Sequence, residues 1–184
     1  MTKLRRGFKT EANSHAIALR RELRLDLHAP LCPWRLAKHL AIPVVQLSDL
    51  ERYEPEGVRY LKGAGRELFS AVTIFVGRHG RKRVVFHNDG HAKTRQAADL
   101  AHELAHAILC HSPTAPFTPD PIAEAEAHWL GPTLLVPEPA ALHIVERGMP
   151  KESAARLYGV SDSLMNMRLN VTGAHSRIAR RKGN

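Results

Sequence analysis

Apolar positions recur at helical spacing along most of this chain and alternate in strand fashion near its middle. Over residues 11–25, Ala12, Ala16, Leu19 and Leu23 fall three or four apart, which predicts an amphipathic helix. Pro33 opens a shorter helix through His39, with Trp34, Leu36, Ala37 and Leu40 as its apolar set. Proline suits a first helical position because the N–H it lacks has no partner inside the helix there. Residues 42–47 read as a short strand with Pro43 at its start or on an edge, and residues 50–66, holding Pro55, Gly57, Gly63 and Gly65, read as loop. Residues 68–77 and 83–87 are rich in β-branched and aromatic side chains and predict two paired strands across a glycine-bearing turn.

The pattern then returns to a helical period. From about residue 94 to 110, Ala97, Leu100, Ala101, Leu104, Ala105, Ile108 and Leu109 form one wide apolar face. Residues 112–121 contain four prolines, which exclude helix and predict a surface loop that can act as a gate. Asp120 as N-cap and Pro121 at the first helical position start another helix, ended by Leu135-Val136-Pro137. Residues 153–169 read as helix, a turn at Gly159, and a second helix capped by Ser161, a helix-turn-helix-like arrangement. The expected fold class is therefore α+β, a small antiparallel sheet packed on the central helix with further helices after it. The expected organisation is a main domain over 1–150, a helix-turn-helix-like segment over 151–172 and a disordered basic tail over 173–184.

Composition narrows the class. With 184 residues and 43% hydrophobic positions the chain can bury a core. No run of about 18 apolar residues occurs, which excludes a membrane-spanning helix and membrane partners. The basic N-terminus leads into no apolar stretch, so no signal peptide is expected. Cys32 and Cys110 are far apart and form no C-x-x-C pair, which argues against a disulfide framework and for a cytoplasmic protein. The net charge of +9 is concentrated in residues 1–24 and 168–184, leaving the body close to neutral. Such ends read as solvated arms or as contacts to nucleic acid.

The chemistry lies in His102-Glu103-Leu104-Ala105-His106. Two histidines four apart share one helix face and can reach one metal ion, and Glu103 projects beside them, where it can take a proton from a water that the metal activates. A catalytic zinc site needs a third protein ligand. The following helix offers Glu124 and Glu126, which lie roughly 200° apart around the helix and cannot both face one ion. Glu124 and His128 share a face.

These segments resemble the ImmA/IrrE family of metallopeptidases, zincin-type proteins with an HExxH helix and a downstream Glu helix. The resemblance runs through Arg6-Gly-Phe-Lys, the stretch from Pro33-Trp34 to Pro43-Val44, Ser70-Ala-Val-Thr-Ile-Phe, Leu100-Ala-His-Glu-Leu-Ala-His and Leu134-Leu-Val-Pro. It implies a zinc ion held by His102, His106 and Glu124, with Glu103 as general base. It also implies a protein substrate, often a helix-turn-helix repressor cleaved in mobile-element immunity or a stress response. Two departures stand out. His128 takes a place where the family has Asn or Asp, so it either accepts a hydrogen bond from a zinc-bound histidine or competes as a ligand. Gly131-Pro132 falls where helix is expected and predicts a kink.

Other residues suggest lesser roles. His87, His91 and His111 flank the motif and could stabilise an oxyanion, Arg95 reads as a packing or pairing residue, and Cys110 reads as a small buried hydrophobe. The strand over 68–76 could bind an extended peptide by strand addition. The leading expectation is a zinc metalloendopeptidase. The alternative is a DNA-binding transcriptional regulator with a structural or vestigial metal site, using the basic ends and Ser163, Asn166 and Arg168 of the last predicted helix. A third is an interaction protein of a toxin–antitoxin kind that needs neither zinc nor DNA.

Overall fold

In the computed structural model, which describes residues 4–77, 82–111 and 120–183, the apolar periods become buried faces. The helix α1 spans Phe8–Glu22 and buries Phe8, Ala12, Ala16 and Leu19; α2 spans Pro33–His39. Strand β1 covers Val44–Gln46, a 3-10 turn follows over Leu47–Leu50, and α3 spans Pro55–Lys62. Strands β2 (Ala71–Val76) and β3 (Lys82–His87) precede the long helices α4 (Lys93–Ile108) and α5 (Pro121–Leu135). Four shorter helices close the described chain: α6 (Glu138–Glu146), α7 (Lys151–Tyr158), α8 (Asp162–Val171) and α9 (Ala174–Lys182).

The α+β class holds, but the sheet is mixed rather than wholly antiparallel. Its order is β1-β3-β2, with β1 parallel to β3 and β2 antiparallel to it in the register Val72 to Phe86 and Ile74 to Val84. β2 pairs only with β3 and has a free edge among the described residues. Alternation along β2 turns Ala71, Thr73 and Phe75 toward α4 and leaves Val72, Ile74 and Val76 exposed on the outer face.

Two apolar clusters flank the α4–α5 pair. One joins Phe8, Ala12, Ala16 and Leu19 of α1 to Leu36, Val85, Leu100, Leu104, Ala127, Leu130 and Leu134. The other joins Ala101 of α4 and Leu135 to α6, α7, α8 and Ala174 of α9. The segment after residue 150 thus shares a core with the motif helix. Both predicted caps are present: the Asp120 carboxylate accepts from the Ile122 N–H at 2.8 Å, and the Ser161 hydroxyl from the Leu164 N–H at 3.2 Å. Gly159 turns between α7 and α8 at φ +65°, a conformation that costs glycine little.

Several expectations change. Residues 50–66 contain α3, whose Pro55 sits at the first turn and whose Gly57 is tolerated inside it; only Val58 is buried, so no periodic face announced it. The expected disordered tail is the helix α9, held by burial of Ala174 and Ile178 and by an ion pair from Arg177 to Glu138 at 2.8 Å. Three of the described N-terminal cations are held by the fold: Arg5 pairs with Glu11 and Glu126, Lys9 stacks on Trp129, and Arg20 is fully buried. Arg168, the only cation of α8, is also buried and donates to the Val136 carbonyl at 2.8 Å, so it is not offered to a partner. Cys110 is exposed rather than buried, and it and Cys32 are both free thiols. The turn over residues 78–81 and the proline-rich gate, apart from Asp120 and Pro121, lie outside the described residues. No helix among the described residues is long and apolar enough to cross a membrane.

Candidate metal centre

Helix α4 buries Leu100, Leu104 and Ala105 on one face and turns His102 and His106, one helical turn apart, toward α5. Helix α5 runs back along it, so Glu124 near its start meets both histidines while Gly131 lies against the backbone of Ala101 and His102. A Cβ at Gly131 would approach the His102 nitrogen to 3.1 Å and the Ala101 carbonyl carbon to 3.2 Å. Glycine here allows the close helix approach that brings Glu124 within reach. Helix α5 continues through Pro132 to Leu135, so the proline does not break it.

Three donor groups converge. The Nε2 atoms of His102 and His106 are 3.1 Å apart, and the Glu124 carboxylate oxygens lie 3.3 Å from the first and 3.4 Å from the second. Ligand atoms about 2.0–2.1 Å from a tetrahedral zinc ion are separated by about 3.3 Å. The side chains fit such an ion, and they form the one metal-competent His/Cys/Asp/Glu group among the described residues. Burial, reinforced by the neighbouring histidines, pulls the pKa of His102 down to about 3. Burial, with His111 and Arg83 nearby, pulls that of His106 to about 4. Both rings are held neutral, the state in which imidazole ligates metal.

Beside them Glu103 is pushed above the ordinary carboxyl range, chiefly by burial and further by the Glu124 charge, while a hydrogen bond from Thr73 opposes the rise. The Thr73 hydroxyl donates to Glu103 Oε2. A cleft of ≈ 580 Å³ opens over these groups, lined by Ser70, Ala71, Asp99, His102, Glu103 and Glu124 among others, with His128 on its wall. Thr73 was not singled out in the sequence; its signal was a polar residue at an inward position of an otherwise apolar alternation.

The remaining candidates separate. His128 stands outside the donor group; its ring lies tilted against that of His102, centroids 4.5 Å apart, and the buried His102 Nδ1 has no hydrogen-bond partner among the described residues. Glu126 faces away from the donor group and takes the Arg5 guanidinium at 2.7 Å and His111 Nε2 at 3.4 Å. His111 meets His106 through their Nδ1 atoms at 2.9 Å. His87 is buried edge-on to Trp34, and His91 Nε2 contacts the Arg66 carbonyl, so neither lines the cleft. Arg95 pairs with Glu67 and donates to Ser70.

One family model matches this chain over residues 63–170, a peptidase family described as IrrE N-terminal-like domain. The match takes in β2, β3, α4, α5 and the helices through most of α8. Neither curated proteins nor solved structures give a match.

Proposed function

The chain belongs to the IrrE N-terminal-like peptidase family, and on that premise we propose that it is a zinc-dependent metalloendopeptidase of the cytoplasm. Its substrate is a protein, and the family resemblance favours a helix-turn-helix repressor whose cleavage releases gene expression. The observation that carries the reading is the spacing of the His102, His106 and Glu124 donor atoms, 3.1–3.4 Å.

A zinc ion held by these three would supply Lewis-acid chemistry, bringing a water's pKa toward neutrality and polarising the scissile carbonyl. Thr73 fixes Oε2 of Glu103, leaving Oε1 free to take the proton of the attacking water. The water oxygen bonds to the carbonyl carbon, the C–N bond breaks, and Glu103 returns the proton to the departing amine. The raised Glu103 pKa suits a group that must first accept a proton and then release it. The free edge of β2, with Ser70 and Ala71 at the cleft, supports a peptide added as a further strand.

The DNA-binding alternative cannot draw on Arg168, which is buried. Glu103→Gln is the discriminating variant. A peptidase keeps its zinc and loses repressor cleavage by about 10²–10⁴-fold; a regulator that acts through DNA is unaffected.

A further inference from the structure

At the end of α4 the chain reverses through a residue that is not glycine. Cys110 adopts φ +55°, its N–H donates to the Ala107 carbonyl at 3.1 Å, and the His111 N–H donates to the His106 carbonyl at 3.0 Å. This closure folds the His111 ring onto His106, with ring centroids 5.0 Å apart. Arg83 donates to the His111 carbonyl at 3.0 Å and holds the main chain there. A left-handed cysteine is a local cost, and it is retained where it delivers a side chain to the metal-competent histidine.

The hydrogen bonds beyond His111 run in a single sense. Arg5 can only donate, and its Nε reaches Glu126 Oε1 at 2.7 Å while its Nη2 reaches Glu11 at 2.6 Å. The Glu126 side chain is 9% exposed, and its carboxylate can only accept, so His111 Nε2, 3.4 Å from Oε2, must carry the proton. With that proton on Nε2, the His111 lone pair lies on Nδ1, where it accepts from Nδ1–H of His106 at 2.9 Å. That tautomer leaves His106 Nε2 unprotonated and aimed at His102 and Glu124.

We propose that Arg5, Glu126 and His111 form an orienting relay that fixes the ring plane and tautomer of His106 for metal binding. The proposal rests on the metal-site reading above and adds three positioning residues, one of them in the segment before α1. The two histidines are then held unequally, since Nδ1 of His102 has no such partner among the described residues. A metal-ligating histidine gains basicity and a fixed orientation from a partner on its other nitrogen, and loss of such a partner typically costs 10–100-fold in affinity.

The test is the zinc dissociation constant of the full chain, measured at one pH by competition with a chromophoric chelator. His111→Leu removes the acceptor and is expected to weaken zinc by about 10–100-fold. His111→Gln restores a carbonyl acceptor and is expected to recover part of that loss. Arg5→Met, which loosens Glu126, is expected to weaken zinc in the same direction by a smaller factor. Thermal unfolding of the metal-free Leu and Gln variants is expected to match, separating positioning from folding. His111→Leu binding zinc as tightly as wild type, or His111→Gln binding no more tightly than His111→Leu, would overturn the relay. Failure of the wild type itself to bind zinc would overturn the metal-site reading, and the relay with it.

Discussion

Thr73→Val removes one hydroxyl from beneath Glu103 and changes little else, because valine has nearly the same shape and suits a strand. In wild type the Thr73 hydroxyl donates to the Glu103 carboxylate, opposing the upward push of burial on that pKa. A hydrogen bond to a charged group contributes about 1.5–3 kcal/mol. Its loss therefore leaves burial less opposed and raises the Glu103 pKa further. The sign for stability follows from proton counting. A carboxyl whose folded pKa lies above its unfolded value binds more protons when folded, so its cost is absent at low pH and grows as pH rises through the folded pKa. Wild type already bears this cost, and the variant bears more of it. Thermal unfolding of the metal-free proteins should nearly coincide at pH 4 and separate toward pH 8, with the variant lower by roughly 3–12 °C, at about 2–4 °C per kcal/mol for a chain of this size. In the zinc-loaded enzyme, the acid limb of the kcat/KM profile should move to higher pH. A constant Tm difference from pH 4 to pH 8 would refute the role given to Thr73.

Three more outcomes follow from the same geometry. Arg20→Met takes the donor from the Ala29, Leu134 and Leu135 carbonyls, which it holds at 3.1, 2.9 and 3.3 Å; after relief of the buried cation's own desolvation, a net loss of about 3 kcal/mol is expected in urea unfolding. Cys110→Gly relieves the left-handed turn at φ +55° and should raise Tm by about 1–2 °C with the zinc dissociation constant unchanged. Because burial pulls His102 to about 3 and His106 to about 4, protons compete weakly for the site. Zinc occupancy by elemental analysis after dialysis should persist to about pH 5 and fall near pH 4, rather than fall near the ordinary histidine value of about 6.5.

Legibility differed with how local each signal was. Helix α4 carried its own period, and α5 its own Asp120-Pro121 start, so both could be read residue by residue. The i, i+4 spacing of His102 and His106 placed them on one face before any fold was known, and the angular offset between Glu124 and Glu126 left room for only one of them at the metal. Glu126 proved to face the opposite way, buried against Arg5 and His111. What escaped depended on distant partners. The parallel pairing of β1 with β3 joins segments about forty residues apart, and nothing in either strand encodes it. Arg168 looks like a surface cation in its helix, yet it is drawn inside to satisfy the Val136 carbonyl just past the end of α5. His111 could not be assigned because its approach to His106 needs a left-handed residue at 110, and a cysteine there gives no such hint.

The central claim is that His102, His106 and Glu124 hold one zinc ion. Elemental analysis of the wild type, His106→Ala and Glu124→Ala tests it most directly. The account predicts about one zinc per wild-type chain, largely lost in both variants, in line with a three-ligand protein site. A wild type that takes up no metal when zinc is supplied, or variants that keep it, would contradict the account.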